Sequence, residues 1–238
     1  MIYILLFLVV IFSGLSVFLF SDFSKKKIKL LLSFSGAYLL SVSLLHLIPE
    51  IYKSSDSNWI GLFVLLGFFI QILLEYFSKG IEHGHVHLHR EGHSPHFPFA
   101  VVASLCIHSF LEGMPLIKVV RENDYSNNLL IGILLHNIPI SIVLMSLLLQ
   151  ETQSKNKSVF WLVIFALMLP LGAMANFFLE GEIADGIENY NYIILAIVVG
   201  IFLHISTTIL FESAENHRFN LYKFISILLG AGLALVNL

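Results

Sequence analysis

The chain has 238 residues, of which 57% are hydrophobic and only 12% are charged, and its mean hydropathy is +0.87. A soluble domain of this length needs far more polar surface, so the composition excludes an ordinary soluble protein. The formal net charge is −3 and no basic patch is interleaved with aromatic residues, so nothing indicates a nucleic-acid partner.

The apolar residues fall into uninterrupted segments that are long enough to cross a bilayer as helices. A hydrocarbon core of roughly 30 Å requires about 20 helical residues. Eight spans are predicted, over residues 1–20, 28–51, 59–78, 97–120, 127–149, 158–179, 191–213 and 219–238. The connections are short, so the sequence predicts an all-α polytopic protein in which residues 1–238 form one transmembrane domain in the lipid bilayer.

The distribution of basic residues predicts the orientation of these spans. The first segment lacks a basic leading region and a small-residue cleavage site, so it is interpreted as a true span with the N-terminus outside. Ten basic residues then lie inside and three outside, which agrees with the positive-inside tendency and places both termini outside. The inner ten are Lys25, Lys26, Lys27, Lys29, Lys79, Arg90, Lys155, Lys157, Arg218 and Lys223; the outer three are Lys53, Lys118 and Arg121.

Residues 82–96 form a loop that is unusually rich in histidine. It holds six of the eleven histidines of the chain, and the predicted topology places it in the cytoplasm. Dense imidazole groups bind divalent transition metals loosely, so we expect weak metal capture or sensing here, with a flexible linker as the alternative. The six are His83, His85, His87, His89, His93 and His96.

Span four carries a histidine and a glutamate at helical spacing. His108 and Glu112 are four residues apart, so their side chains share one helix face within reach of one ion. A carboxylate at membrane depth is costly unless it is paired, and a divalent cation would offset that cost. Pro115 follows shortly after Glu112 and is predicted to break the helix there.

Span five carries the second half of the predicted site. It contains His136-Asn137-Ile138-Pro139, and the proline cannot donate a hydrogen bond to the carbonyl of Leu135. Irregular backbone in a membrane is tolerated where it lines a cavity, so a polar path is predicted beside His136. Nitrogen and carboxylate ligands suit zinc (Zn2+), and with less preference iron, manganese, cobalt or nickel; cadmium is a further alternative.

The flanking spans contain further candidate ligands. Span two ends with His46 and Glu50, and span seven contains His204 and Glu212. With the predicted topology these residues extend a path of ligand-type side chains toward both membrane faces. The two spans run in opposite directions with the same order of histidine and glutamate, which indicates an inverted repeat.

At these residues the chain resembles the ZIP (Zrt/Irt-like) family of divalent metal transporters. The resemblance rests on the HLIPE end of span two, the His-x-x-x-Glu-Gly of span four, the His-x-Ile-Pro of span five and the Pro-Leu-Gly-Ala segment at 170–173. It implies an eight-helix bundle that transports zinc, iron or manganese toward the cytoplasm. It also implies that His108, Glu112 and His136 are the primary metal ligands.

The chain departs from the family pattern at four positions around this site. Ile140 and Leu169 stand where that pattern has further ligands, while Ser109 and Asn137 replace an asparagine and an acid. We therefore expect one metal ion with three protein ligands and a fourth position filled by water or a group such as His204. The full set of candidate metal-site residues is His108, Glu112, His136, Asn137, His204, His46 and Glu50.

The predicted function is therefore transport of a divalent metal ion, zinc before others, across a cell membrane (plasma membrane or bacterial inner membrane). Two alternatives remain. The missing ligands are compatible with a membrane metal sensor that does not transport. A histidine-ligated metalloenzyme would need an activated water and a general base, and the chain has no His-Glu-x-x-His motif, so no enzyme is expected. Assembly as a homodimer is left open.

Overall fold

The computed structural model describes residues 2–20, 24–54, 59–83, 97–116, 125–182, 189–212 and 220–236. These ranges are helical and contain no strand, which confirms the all-α prediction for the described part of the chain. The helices are α1 (Ile2–Leu15), α2 (Lys25–Val42), α3 (Ile48–Ser54), α4 (Ile60–Ser78), α5 (Phe99–Gly113), α6 (Tyr125–Thr152), α7 (Lys155–Glu182), α8 (Tyr190–Glu212) and α9 (Leu221–Leu235). A π-helical segment (Ser43–Leu47) joins α2 to α3, and 3₁₀ turns follow α1 (Ser16–Phe18) and α4 (Ile81–His83).

Five helical stretches are long and apolar enough to cross a membrane. They are Lys26–Lys53, Ile60–Ser78, Asn127–Thr152, Lys155–Leu179 and Tyr190–Phe211. Three shorter apolar stretches, Ile2–Phe18, Phe99–Gly113 and Leu221–Leu235, fall where the sequence predicts spans one, four and eight. The described residues thus contain helices at all eight predicted positions, while the number of helices that cross the bilayer and the external termini stay predictions.

The surface of α4 has the polarity expected of a helix between protein and lipid. Phe69 and Leu73 are 57% and 58% exposed, whereas Gln71, between them in sequence, is fully buried. In water this arrangement would be reversed, because apolar side chains are driven inside and amides are readily hydrated. The inward position of the amide therefore supports a hydrocarbon environment around this helix.

The helices pack as two groups. Bundle A comprises α1, α5, α6 and α7, in which α5 packs on α7 and α1 packs on α6 and α7. Bundle B comprises α2, α3, α4, α8 and α9, in which α4 packs closely on α8 and α9 packs on α2. The two groups meet chiefly where α2 packs on α6 and where α4 packs on α5. Spans four and five of the sequence analysis, α5 and α6, therefore belong to the same bundle.

Both bundles contain helix pairs whose backbones touch at glycines, among them α2 and α9 at Gly230. Between α5 and α7, a Cβ atom at Gly113 would overlap the carbonyl oxygen of Leu169, and one at Gly172 would overlap the backbone of α5. Gly67 and Gly200 make the same kind of contact between α4 and α8. Small residues allow this close approach, which is a main source of helix association in lipid. The contact at Gly113 fixes how α5 is rotated next to Glu112.

Gly172→Ala should therefore destabilise the protein. The added methyl group meets backbone that cannot move aside cheaply, and overpacking of this kind costs about 1–3 kcal/mol. Gly232→Ala is the matched control, because a Cβ at Gly232 meets nothing within 4 Å. The measurement is thermal unfolding in detergent. The midpoint should fall for Gly172→Ala and stay level or rise for Gly232→Ala; equal midpoints for both variants would contradict the backbone contact.

Candidate metal centre

Three side chains converge between α5 and α6. His108 and Glu112 lie on one face of α5, His136 lies on α6, and each offers a ligand atom within 4.8 Å of the other two. All three side chains are fully buried. The His108 and His136 rings meet edge to face, with centroids 6.0 Å apart and planes at 82°. His108, Glu112 and His136 are therefore close enough together to be compatible with the predicted metal site, and their role as ligands stays a prediction.

The His108–Glu112 pair already has the spacing that one metal ion requires. Nε2 of His108 lies 3.2 Å from Oε1 of Glu112, and neither atom makes a well-formed hydrogen bond to another described residue. Ligand bonds of about 2.0–2.1 Å in a tetrahedral zinc site place ligand atoms roughly 3.3–3.4 Å apart. One ligand atom of His136 lies within 4.8 Å of a ligand atom of each of the other two residues.

The remaining polar atoms of this pair are held by neighbouring amides. Nδ1 of His108 lies 3.1 Å from Oε1 of Gln71 on α4, so the Nδ1–H donates to the amide oxygen. Nε2 of His108 is thereby left facing Glu112, and this is the usual arrangement of a metal-binding histidine. Nδ2 of Asn137 donates to Oε2 of Glu112 at 3.0 Å and to the carbonyl of Ile133 at the same distance. Asn137 therefore orients the carboxylate.

The prolines next to the site have different effects on their helices. α6 continues through Pro139, whose missing N–H leaves the Leu135 carbonyl without its usual helical donor. α5 instead ends at Gly113, directly before Met114 and Pro115. The predicted break after Glu112 is thus a helix end in the described range.

The other predicted ligands lie apart from this cluster. His46 bridges three helical segments, with Nε2 3.2 Å from the carbonyl of Ala234 and 3.4 Å from Nδ2 of Asn128. His204 lies 3.4 Å from the Glu75 carboxylate and contacts the Phe68 ring edge to face. Glu50 is half-buried in α3. None of the three joins the group formed by His108, Glu112 and His136.

Some sequence predictions fall where the structure gives no description. The Glu82 and Ile81 end of the histidine-rich loop is described, but residues 84–96 and the side chain of His83 lie outside the described residues. The same holds for the side chain of Glu212. The metal capture predicted for residues 82–96 therefore stays a prediction.

A polar stripe on α4 was missed by the sequence analysis. Gln71, Glu75 and Ser78 recur at helical spacing, and Glu82 follows in the 3₁₀ turn. Glu82 is fully buried, and its Oε2 accepts a hydrogen bond of 2.7 Å from Ser78. Polar residues that recur every three or four positions inside an apolar span indicate a buried polar helix face, and this pattern is visible in the sequence.

A bundle of apolar helices that buries two histidines and a glutamate around one point defines a class of protein: an integral membrane protein able to hold a divalent cation. A family model described as "ZIP Zinc transporter" matches residues 1–97 and 97–237. The chain belongs to the ZIP zinc transporter family, which confirms the resemblance at the motifs. A search of curated proteins gives no significant match.

Membership of this family assigns the general activity. ZIP proteins transport divalent metal ions across membranes and are not enzymes, so the metalloenzyme alternative is set aside. The buried His108–Glu112–His136 cluster is compatible with such a substrate. The finer questions are which ion is carried, in which direction and through which residues.

If the cluster binds zinc, Glu112→Gln should abolish most of that binding, because it removes the carboxylate of the cluster. The loss should exceed the roughly 10–100-fold cost of losing an outer partner of a metal ligand. Glu82→Gln is the matched control, since Glu82 is also a fully buried carboxylate but lies outside the three-residue cluster. Calorimetric titration with zinc measures the zinc affinity of both detergent-solubilised variants. A comparable loss in the two variants would contradict the assignment of Glu112 as ligand.

Proposed function

We propose that this protein carries one zinc ion per cycle toward the cytoplasm through a centre formed by His108, Glu112 and His136, between spans four and five. The observation that carries the proposal is the convergence of these three buried side chains within 4.8 Å of one another. Because a buried carboxylate and two imidazoles are costly in hydrocarbon, a divalent substrate offsets a cost that the chain otherwise bears in full.

The donor atoms favour zinc among the divalent ions. Two imidazole nitrogens and one carboxylate oxygen form a set that zinc accepts readily, whereas calcium and magnesium require oxygen ligands throughout. Thiolate is missing from the cluster, which disfavours copper(I). Iron, manganese, cobalt and cadmium remain competing substrates that share this ligand preference.

A centre for one ion, rather than two, is supported by Asn137 and by two apolar neighbours. Asn137 donates to Oε2 of Glu112, so only Oε1 of that carboxylate faces His108. Ile140 and Leu169 are fully buried and offer no ligand atoms. His204 lies beside Glu75 and apart from the cluster, so water is a better candidate than His204 for the fourth ligand.

Alternating access follows from the division into two bundles. The ligands all belong to bundle A, so a displacement of bundle A against bundle B would carry the ion from one membrane face toward the other. The glycine contacts keep α5 close to α7 and α4 close to α8 during such a movement. The ten basic residues assigned to the inner side support an orientation in a cell membrane with both termini outside, and release toward the cytoplasm is proposed from the resemblance to the family.

Uptake of radioactive zinc into proteoliposomes tests this function. The wild type should accumulate zinc, with competition by iron, manganese, cobalt and cadmium giving the substrate preference, and Glu112→Ala and His136→Ala should reduce uptake to that of empty liposomes. Gly232→Ala, which changes no contact within 4 Å, should retain wild-type uptake. Equal uptake by wild type and Glu112→Ala would refute transport through this centre. Tight binding without uptake under any gradient would instead support a metal sensor.

The metal content of the purified protein tests the single-ion centre. After exposure to excess zinc and removal of loosely bound metal, the wild type should retain one ion per chain, and His108→Ala should retain almost none. Elemental analysis against protein concentration gives the ratio. Two tightly held ions per chain, both lost in His108→Ala, would contradict the proposal that the hydrogen bond from Asn137 to Glu112 limits the centre to one ion.

A further inference from the structure

Gln71 holds a ligand of the centre from the opposite bundle. It lies on α4 in bundle B, it is fully buried, and its Oε1 accepts the Nδ1–H of His108 at 3.1 Å. Asn137, which orients the Glu112 carboxylate, lies on α6 in bundle A, the same bundle as the ligands. The two outer partners of the centre therefore differ in whether they would move together with it.

The hydrogen bond to Gln71 decides which nitrogen of His108 is able to bind a metal ion. When Nδ1 carries the proton and donates it to Gln71, the lone pair is on Nε2, which faces Glu112 at 3.2 Å. Without an acceptor at Nδ1, the imidazole also adopts the other tautomer, in which Nε2 carries the proton and cannot bind metal. An acceptor at this position also limits rotation of the ring.

Packing alone gives a poor account of Gln71. Its Nε2 makes no hydrogen bond to any residue that the structure describes, although the side chain is fully buried. An apolar side chain of similar volume would fill the same space without an unpaired amide group. The part of the amide that does have a partner is the oxygen, and that partner is His108.

From these observations we infer that Gln71 is a positioning residue which makes the metal-binding capacity of His108 depend on the relative placement of the two bundles. This inference rests on the proposed function of the His108–Glu112–His136 centre. With α5 against α4, Gln71 holds His108 as a ligand and the ion is bound tightly. When bundle A is displaced, the hydrogen bond is lost, the centre keeps Asn137 but not Gln71, and the ion is bound more weakly.

Three variants separate this role from packing. Gln71→Met keeps the volume but removes the acceptor, Gln71→Glu keeps an acceptor oxygen, and Asn176→Leu removes another buried amide that joins the two bundles, at 3.4 Å from Asn191. Calorimetric titration of the full-length protein with zinc should show about 10–100-fold weaker binding for Gln71→Met. Gln71→Glu and Asn176→Leu should bind within a few-fold of the wild type.

A second measurement reads the histidine directly. In the zinc-loaded wild type, the ¹⁵N shifts of His108 should report a single form, with Nε2 bound to metal and the proton on Nδ1. Gln71→Met should give a mixture, and Gln71→Glu should restore the single tautomer. Gln71→Met with wild-type zinc affinity and an unchanged tautomer would overturn the inference, as would an equal loss of affinity in Asn176→Leu. If the wild type binds zinc without uptake, the proposed transport fails while both measurements still decide the role of Gln71.

Discussion

The rest of the structure depends on the burial of the His108–Glu112 pair within a membrane protein. A carboxylate and an imidazole 3.2 Å apart, with no water-exposed surface, attract a cation strongly because little solvent screens their field. The same burial makes the pair unfavourable without a counter-charge. In the proposed function, a divalent substrate would offset this cost by supplying the counter-charge.

Helix packing is what holds the pair in place. Gly113 follows Glu112 directly, and its contact with the Leu169 carbonyl brings α5 and α7 together at the level of the carboxylate. A larger residue at position 113 would push α5 outward or rotate it, and Glu112 would lose its position beside His136. The close contact between the α5 and α7 backbones and the position of the Glu112 side chain therefore depend on each other, and one cannot be changed without the other.

Much of the cluster could be predicted from the sequence, because the positions of its residues are set by their spacing along single helices. The four-residue spacing of His108 and Glu112 fixes their common face, and the His136 motif marks the second helix. The contacts of Gln71 and Glu82 could not be predicted in the same way, because they depend on how α4 is rotated against bundle A. Helices that are apolar on most sides give little periodicity from which to derive that rotation.

The histidines outside the cluster show a second limit of sequence reasoning. His46 and His108 both lie in apolar spans close to a glutamate, yet His46 contacts a backbone carbonyl and Asn128, whereas His108 contacts Glu112. A membrane histidine satisfies its polar atoms either through neighbouring helices or through a metal ion, and both solutions use the same residue types. Only the three-dimensional neighbours distinguish them.

The modest number of ligands is consistent with transport. An ion that crosses a membrane must bind well enough to leave water and weakly enough to leave the protein. The proposed set of three protein ligands and one water would avoid the closed four-ligand shell that characterises structural zinc sites. Asn137 donates a hydrogen bond to one oxygen of Glu112, and Gln71 accepts one from His108 across the two bundles. Under the role inferred for Gln71, loss of its hydrogen bond when one bundle moves would lower the affinity, so release would need no change in the ligands themselves.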